Sequence, residues 1–134
     1  MKINWIRNAA TAVMMGYVSI VAAPTWAAVG DYEFQLVQSE VKKDNNAEIA
    51  VRLTDKRTGK AVPGAVIFAQ RIDMAPDGME EMISSIAPMP STEPGIYRFK
   101  VKLTMAGGWR LSLGAKVQGE TGAVENRLTF KAVP

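Results

Sequence analysis

The run Tyr97-Arg98-Phe99-Lys100-Val101-Lys102-Leu103, then Met105-Ala106-Gly107-Gly108, then Trp109-Arg110-Leu111-Ser112-Leu113, decides the fold. In the first and last of these, apolar residues alternate with polar or charged ones. An extended chain sends successive side chains to opposite faces, so each alternating run predicts a strand with one face on a core and one in water. The small residues between them, ending in two glycines, predict a turn.

The same period recurs on either side. Toward the C-terminus, residues 119–122 predict a turn, and Val124, Asn126, Leu128 and Phe130 sit at even spacing on a last strand. Toward the N-terminus, Tyr32, Phe34 and Leu36 alternate with Glu33 and Gln35, and Ile49, Val51 and Leu53 with Glu48, Ala50 and Arg52. Polar turns are expected at residues 42–46 and 55–60, and residues 61–65 turn into a strand over 66–72. Residues 73–94 read as a long irregular segment with one short strand near residues 82–87, and residues 28–31 as a loose leader. No stretch after residue 27 keeps an apolar period of 3.6. About seven short strands at roughly 8–12-residue spacing predict an all-β immunoglobulin-like β-sandwich, with a small barrel as the rival. Its expected core includes Ile49, Val51, Tyr97, Phe99, Val101, Trp109, Leu111 and Phe130.

The chain opens differently. Lys2 and Arg7 precede an uncharged run with its apolar part at residues 9–23, and Pro24-Thr25-Trp26-Ala27 ends it. A basic start, a short apolar run and a small-residue site predict a secretory signal peptide over residues 1–27. The apolar part is shorter than the roughly 20 residues of a membrane span. Thr25 and Ala27 suit the −3 and −1 positions of the cut, leaving 28–134 as one domain. The expected location is periplasmic or otherwise exported, with no stable membrane span after cleavage.

Lys2 and Arg7 are two of the 16 basic residues, and no acid lies before Ala28, so the remainder carries 14 basic against 13 acidic residues. That balance leaves no basic stripe for nucleic acid. The chain has no cysteine and no histidine. Without them there is no disulfide framework, no Ser-His-Asp or Cys-His catalysis, and no imidazole or thiolate site for zinc or Cu(II). Asp73, Asp77, Glu80 and Glu81 lie close together in a Gly/Pro-containing segment and read as hydrated surface acids, so no enzyme activity is expected.

Five methionines follow residue 27: Met74, Met79, Met82, Met89 and Met105. A thioether is a soft, neutral ligand suited to Cu(I) or Ag(I), and it needs no deprotonation. The nearby carboxylates would attract a cation. Two other readings stand beside this one. Methionine fills irregular core space, and methionine-rich surfaces bind proteins adaptably.

Val51-x-Leu53-x-Asp55, Thr58-Gly59-Lys60-Ala61-Val62-Pro63-Gly64-Ala65, Asp73-Met74-x-Pro76-x-Gly78-Met79, Met89-Pro90, Pro94-Gly95-Ile96-Tyr97-Arg98-Phe99 and Thr104-Met105-Ala106-Gly107-Gly108-Trp109-x-Leu111 together resemble the YtkA-like/FixH-like family. The resemblance covers roughly residues 32–132. It implies an exported immunoglobulin-like domain associated with copper and silver efflux pumps or with assembly of copper-containing oxidases. The ligands it implies are Met74, Met79, Met82, Met89 and Met105. Many members place histidine in this loop; its absence here leaves a thioether site for Cu(I) or Ag(I). The expected function is a periplasmic accessory domain that binds Cu(I)/Ag(I) through methionines and serves a heavy-metal efflux pump or oxidase-assembly proteins. The alternative is a metal-free interaction module docking on a membrane complex. Protein recovered from the periplasm should begin at Ala28 on N-terminal sequencing; Met1 in a membrane fraction would overturn the signal-peptide reading.

Overall fold

The computed structural model describes residues 29–134; the signal peptide read at residues 1–27 and its cleavage position lie outside the described residues. Ten strands follow one another: β1 (Tyr32–Leu36), β2 (Glu40–Lys42), β3 (Ala47–Asp55), β4 (Lys60–Ala61), β5 (Val66–Met74), β6 (Met79–Ser84), β7 (Ile86–Met89), β8 (Ile96–Val101), β9 (Gly107–Lys116) and β10 (Val124–Val133). They form two sheets. One has the order β1-β3-β8-β7, with β4 also on β3, and the other β2-β10-β9-β5-β6. All pairings are antiparallel except that of β2 with β10.

This is the immunoglobulin arrangement: β1, β3, β8 and β7 occupy the A, B, E and D places of one sheet, and β5, β9 and β10 the C, F and G places of the other. No cysteine joins β3 to β9, the strands bridged in antibody domains. Apolar packing takes that place. Ile49, Val51 and Leu53 of β3 and Phe99 and Val101 of β8 meet Trp109, Leu111 and Leu113 of β9 and Phe130 of β10 in one buried cluster. Seven of the eight expected core residues are buried. Tyr97 is half-buried, because its hydroxyl has polar work: it donates to the Val62 carbonyl at 2.7 Å and accepts from the Ala65 N–H at 2.9 Å. Its ring packs edge-on to Phe34, with centroids 6.2 Å apart. Tyr97 thereby ties the link between β4 and β5 to β8.

Strand length differs from the expectation in three places, each for a physical reason. Residues 73–94 are mostly strand. Met74 ends β5, and β6 and β7 form one path that changes sheets at Ser85. β6 lies at a sheet edge with every residue exposed or half-buried, so it has no buried face to imprint a period of two. In β5, Ile67 and Ile72 both pack toward the core although five residues apart, a separation that regular alternation forbids. A bulge at Phe68 corrects the phase: Ile67 faces Ala115 and Ala69 faces Gly114, with Phe68 as the extra residue. Residues 29–31 form a 3-10 turn rather than a loose leader, since Val29 packs on the core and the Asp31 carbonyl accepts the Lys56 N–H at 2.7 Å.

Phe99 is 1% exposed at the centre of the cluster. Its replacement by alanine should cost about 3–5 kcal/mol through lost burial and a cavity, read from urea denaturation. A surface-like cost below about 0.5 kcal/mol would contradict this packing.

Candidate functional site

Three connections meet at one end of the sandwich: the turn between β2 and β3, the turn between β5 and β6, and the link between β8 and β9. The first and last are joined where the Leu103 N–H donates to the Asp44 carbonyl at 2.9 Å. The second is a 3-10 turn, Ala75–Asp77, laid against the start of β9.

Asp73 fixes this turn. The residue is 0% exposed, although it lies on the outer side of its sheet, directly opposite Arg110. Its Oδ1 accepts the Ala75 N–H at 2.9 Å, and its Oδ2 accepts from Arg71 Nε at 3.0 Å and Arg110 at 3.1 Å. Arg110 also donates to Glu80 Oε1 at 3.2 Å, and Arg71 to the Glu80 carbonyl at 3.2 Å. Burial pushes the Asp73 carboxyl up, but the Ala75 N–H and the two guanidinium groups outweigh it and hold the group below its ordinary value. The Asp73 hydrogen bond is the main reason Arg110 is pushed up. Asp73 is thus a buried, paired carboxylate and not the hydrated surface acid expected; sequence spacing gave no sign that two arginines would arrive from β5 and β9.

Asp77 has a structural partner as well. Its Oδ2 accepts the Gly108 N–H at 3.1 Å. A Cβ on Gly108 would lie 2.8 Å from the Pro76 Cβ and 3.0 Å from Asp77 Oδ1; on Gly107, at φ 137°, it would meet the Asp77 carboxylate and the Met74 methyl. The two glycines are what let the turn approach β9 so closely.

The structure gathers four of the five methionines at this end. Met74 is wholly buried and lies opposite Met79, which is half-buried against the core. Met82 lines a shallow cavity with Trp109, Lys102 and Thr104. The carbonyl of Met105 accepts the Trp109 indole N–H at 3.0 Å. Met82 and Met105 are 39% and 41% exposed, so these two residues reach solvent at this end while Met74 does not. Met89 stands apart: it pairs with Arg98 near the start of β8 and lines a depression with Pro63, Gly64 and Tyr97 at the opposite end. Among the described residues, no group of three or more His, Cys, Asp or Glu is arranged to hold a metal ion. Also among them, no helix is long and apolar enough to cross a membrane.

A family model described as YtkA-like matches residues 27–114. No curated protein matches the chain. Among solved structures, a ZirS C-terminal domain is similar at 11% identity and a TM-score of 0.44, over 92% of this chain and 88% of that one.

Asp73 makes the stability of this end depend on pH. Its folded-state pKa lies below the ordinary 3.8, so its contribution is present above that value and is lost as pH falls through the lower, folded one. Asp73→Asn should cost about 2–3 kcal/mol near neutral pH. The gap from wild type should close as pH falls below 3.8. Denaturation curves of both proteins across this range provide the check. Asp55, also held low by Arg57, is common to both and cancels in the comparison. A gap that stays constant with pH would show that the Asp73 charge has no stabilising role.

Proposed function

The chain belongs to the YtkA-like family, and from that premise we propose that it is an exported, non-enzymatic accessory domain that takes Cu(I) or Ag(I) at its methionine-bearing end. One observation carries the reading: Met82, which lines a cavity with Trp109, and Met105, whose carbonyl holds the Trp109 indole N–H, come from different elements and are both exposed at this end. Met79 and the buried Met74 lie at the same end. The donor set fits the ion. Thioethers are the soft side-chain ligands available in a chain without cysteine or histidine, and soft monovalent cations favour them over carboxylates. Met79, Met82 and Met105 would supply the first contacts. Met74 would join only after local movement, because it is closed off from solvent. Met89 drops out of the proposed set by its position. In this reading the domain serves a heavy-metal efflux or copper-oxidase assembly system.

A second reading rests on Ile83, 58% exposed next to Met82. Ile83, Met82 and Met105 make this end apolar as well as sulfur-bearing, which suits metal-free docking on a protein partner.

A Met82→Ile/Met105→Ile variant keeps apolar bulk and removes two sulfurs. In a competition titration it should lose at least tenfold in Ag(I) affinity while its unfolding free energy changes by less than about 1 kcal/mol. Met89→Ile should bind as wild type does. If wild type shows no saturable Ag(I) binding, the metal reading fails and the docking module stands.

A further inference from the structure

An edge strand presents main-chain N–H and C=O groups ready to pair with another chain, and natural sandwiches blunt such edges. Most edges here are blunted. β2 is three residues long and carries Glu40 and Lys42. On β1, the Phe34 N–H donates to Asn126 Oδ1 at 2.8 Å, a side chain from the facing sheet. β6 carries Glu80 and Glu81, and β7 carries Pro88, which has no N–H to offer.

The first part of β5 is different. β9 pairs with one side of it from Val66 to Asp73, but β6 pairs with the other side only from Ile72 onward. β7 approaches β5 from the other sheet without forming a ladder with it. Along residues 66–71, one row of main-chain groups therefore has no strand partner among the described residues. Val66-Ile67-Phe68-Ala69-Gln70 carries no charge, and Val66 and Phe68 are 63% and 54% exposed. The bulge at Phe68 is the one edge-protecting device present, and it turns an aromatic ring outward over Gly114, whose missing side chain leaves room for it.

We propose that residues 66–71 of β5 accept an uncharged, extended segment of a partner protein as an added strand, with apolar side chains alternating beside Val66 and Phe68. Main-chain pairing supplies the recognition that an unpaired edge offers, and the two exposed apolar residues supply side-chain contact. The absence of charge on 66–70 fits a neutral strand, and Arg71, the one charged residue of the stretch, is already paired with Asp73. A second copy of this chain fits less well. Antiparallel pairing about a two-fold axis would bring two Phe68 bulges into one short ladder, whereas a regular partner strand meets one. This surface is separate from the methionine site, so its test is independent of metal.

The experiment follows amide hydrogen exchange of the exported protein with and without a capped hexapeptide of alternating valine and threonine. An N-methylated version of the peptide, which lacks donors, serves as control. The edge-facing amides of 66–71 should exchange at least tenfold more slowly with the peptide and not with the control. Val66→Lys, at a position already exposed, should abolish the protection without unfolding the domain. Three outcomes would overturn the proposal: no protection; protection confined to other strands; or peptide-independent protection that fades on dilution, which would assign the edge to a second copy.

Discussion

A carboxylate removed from water must be matched by donors, and Asp73 is where this molecule meets that demand. Arg71 comes from the same strand, Arg110 from its neighbour β9, and the Ala75 N–H from the turn that follows. Satisfying one side chain therefore fixes the pairing of β5 with β9 and the direction in which the chain leaves β5. The turn is then pressed onto Gly107 and Gly108, and Asp77 closes it by accepting the Gly108 N–H. The positions of Met74, Met79 and Met105 all follow from that closure.

Tyr97 performs a related task at the other end with neutral groups. Its hydroxyl holds the Val62 carbonyl and the Ala65 N–H, so the crossing from β4 to β5 is anchored to β8. Together the two clasps account for much of the sequence pattern that carries the family resemblance. Asp-Met-x-Pro-x-Gly-Met and Met-Ala-Gly-Gly-Trp are two halves of one contact, and Ala-Val-Pro-Gly-Ala and Gly-Ile-Tyr are two halves of another. Residues that look like a loop chemistry on paper are first of all packing elements that hold two sheets in register.

That conclusion sharpens what the methionines can do. A methionine inside the clasp, as Met74 is, serves the core, where its flexible chain fills space beneath the glycines. Met82 and Met105, at the rim, are exposed; Met82 shares a cavity with Trp109, and Met105 meets the Trp109 indole through its carbonyl. Met89 is separated from both by the length of β8. Any chemistry of this end thus rests on residues from β6 and from the β8–β9 link, far apart in sequence and brought near Trp109 by the sandwich.

The sequence by itself determined the two-sheet, all-β architecture and the centre of the core, because a strand with one wet face must alternate and Ile49, Val51, Phe99, Val101, Trp109 and Leu111 do so. It also determined the ligand chemistry on offer, since composition alone leaves thioethers as the soft donors. Only the tertiary structure decided which methionines share an end, that Asp73 is buried rather than hydrated, that the one short strand read near residues 82–87 is two longer strands in different sheets, and that Phe68 shifts the phase of β5. The reason is common to all four. Each depends on which strand lies alongside another, and a one-dimensional period records only whether a face is buried, not what buries it.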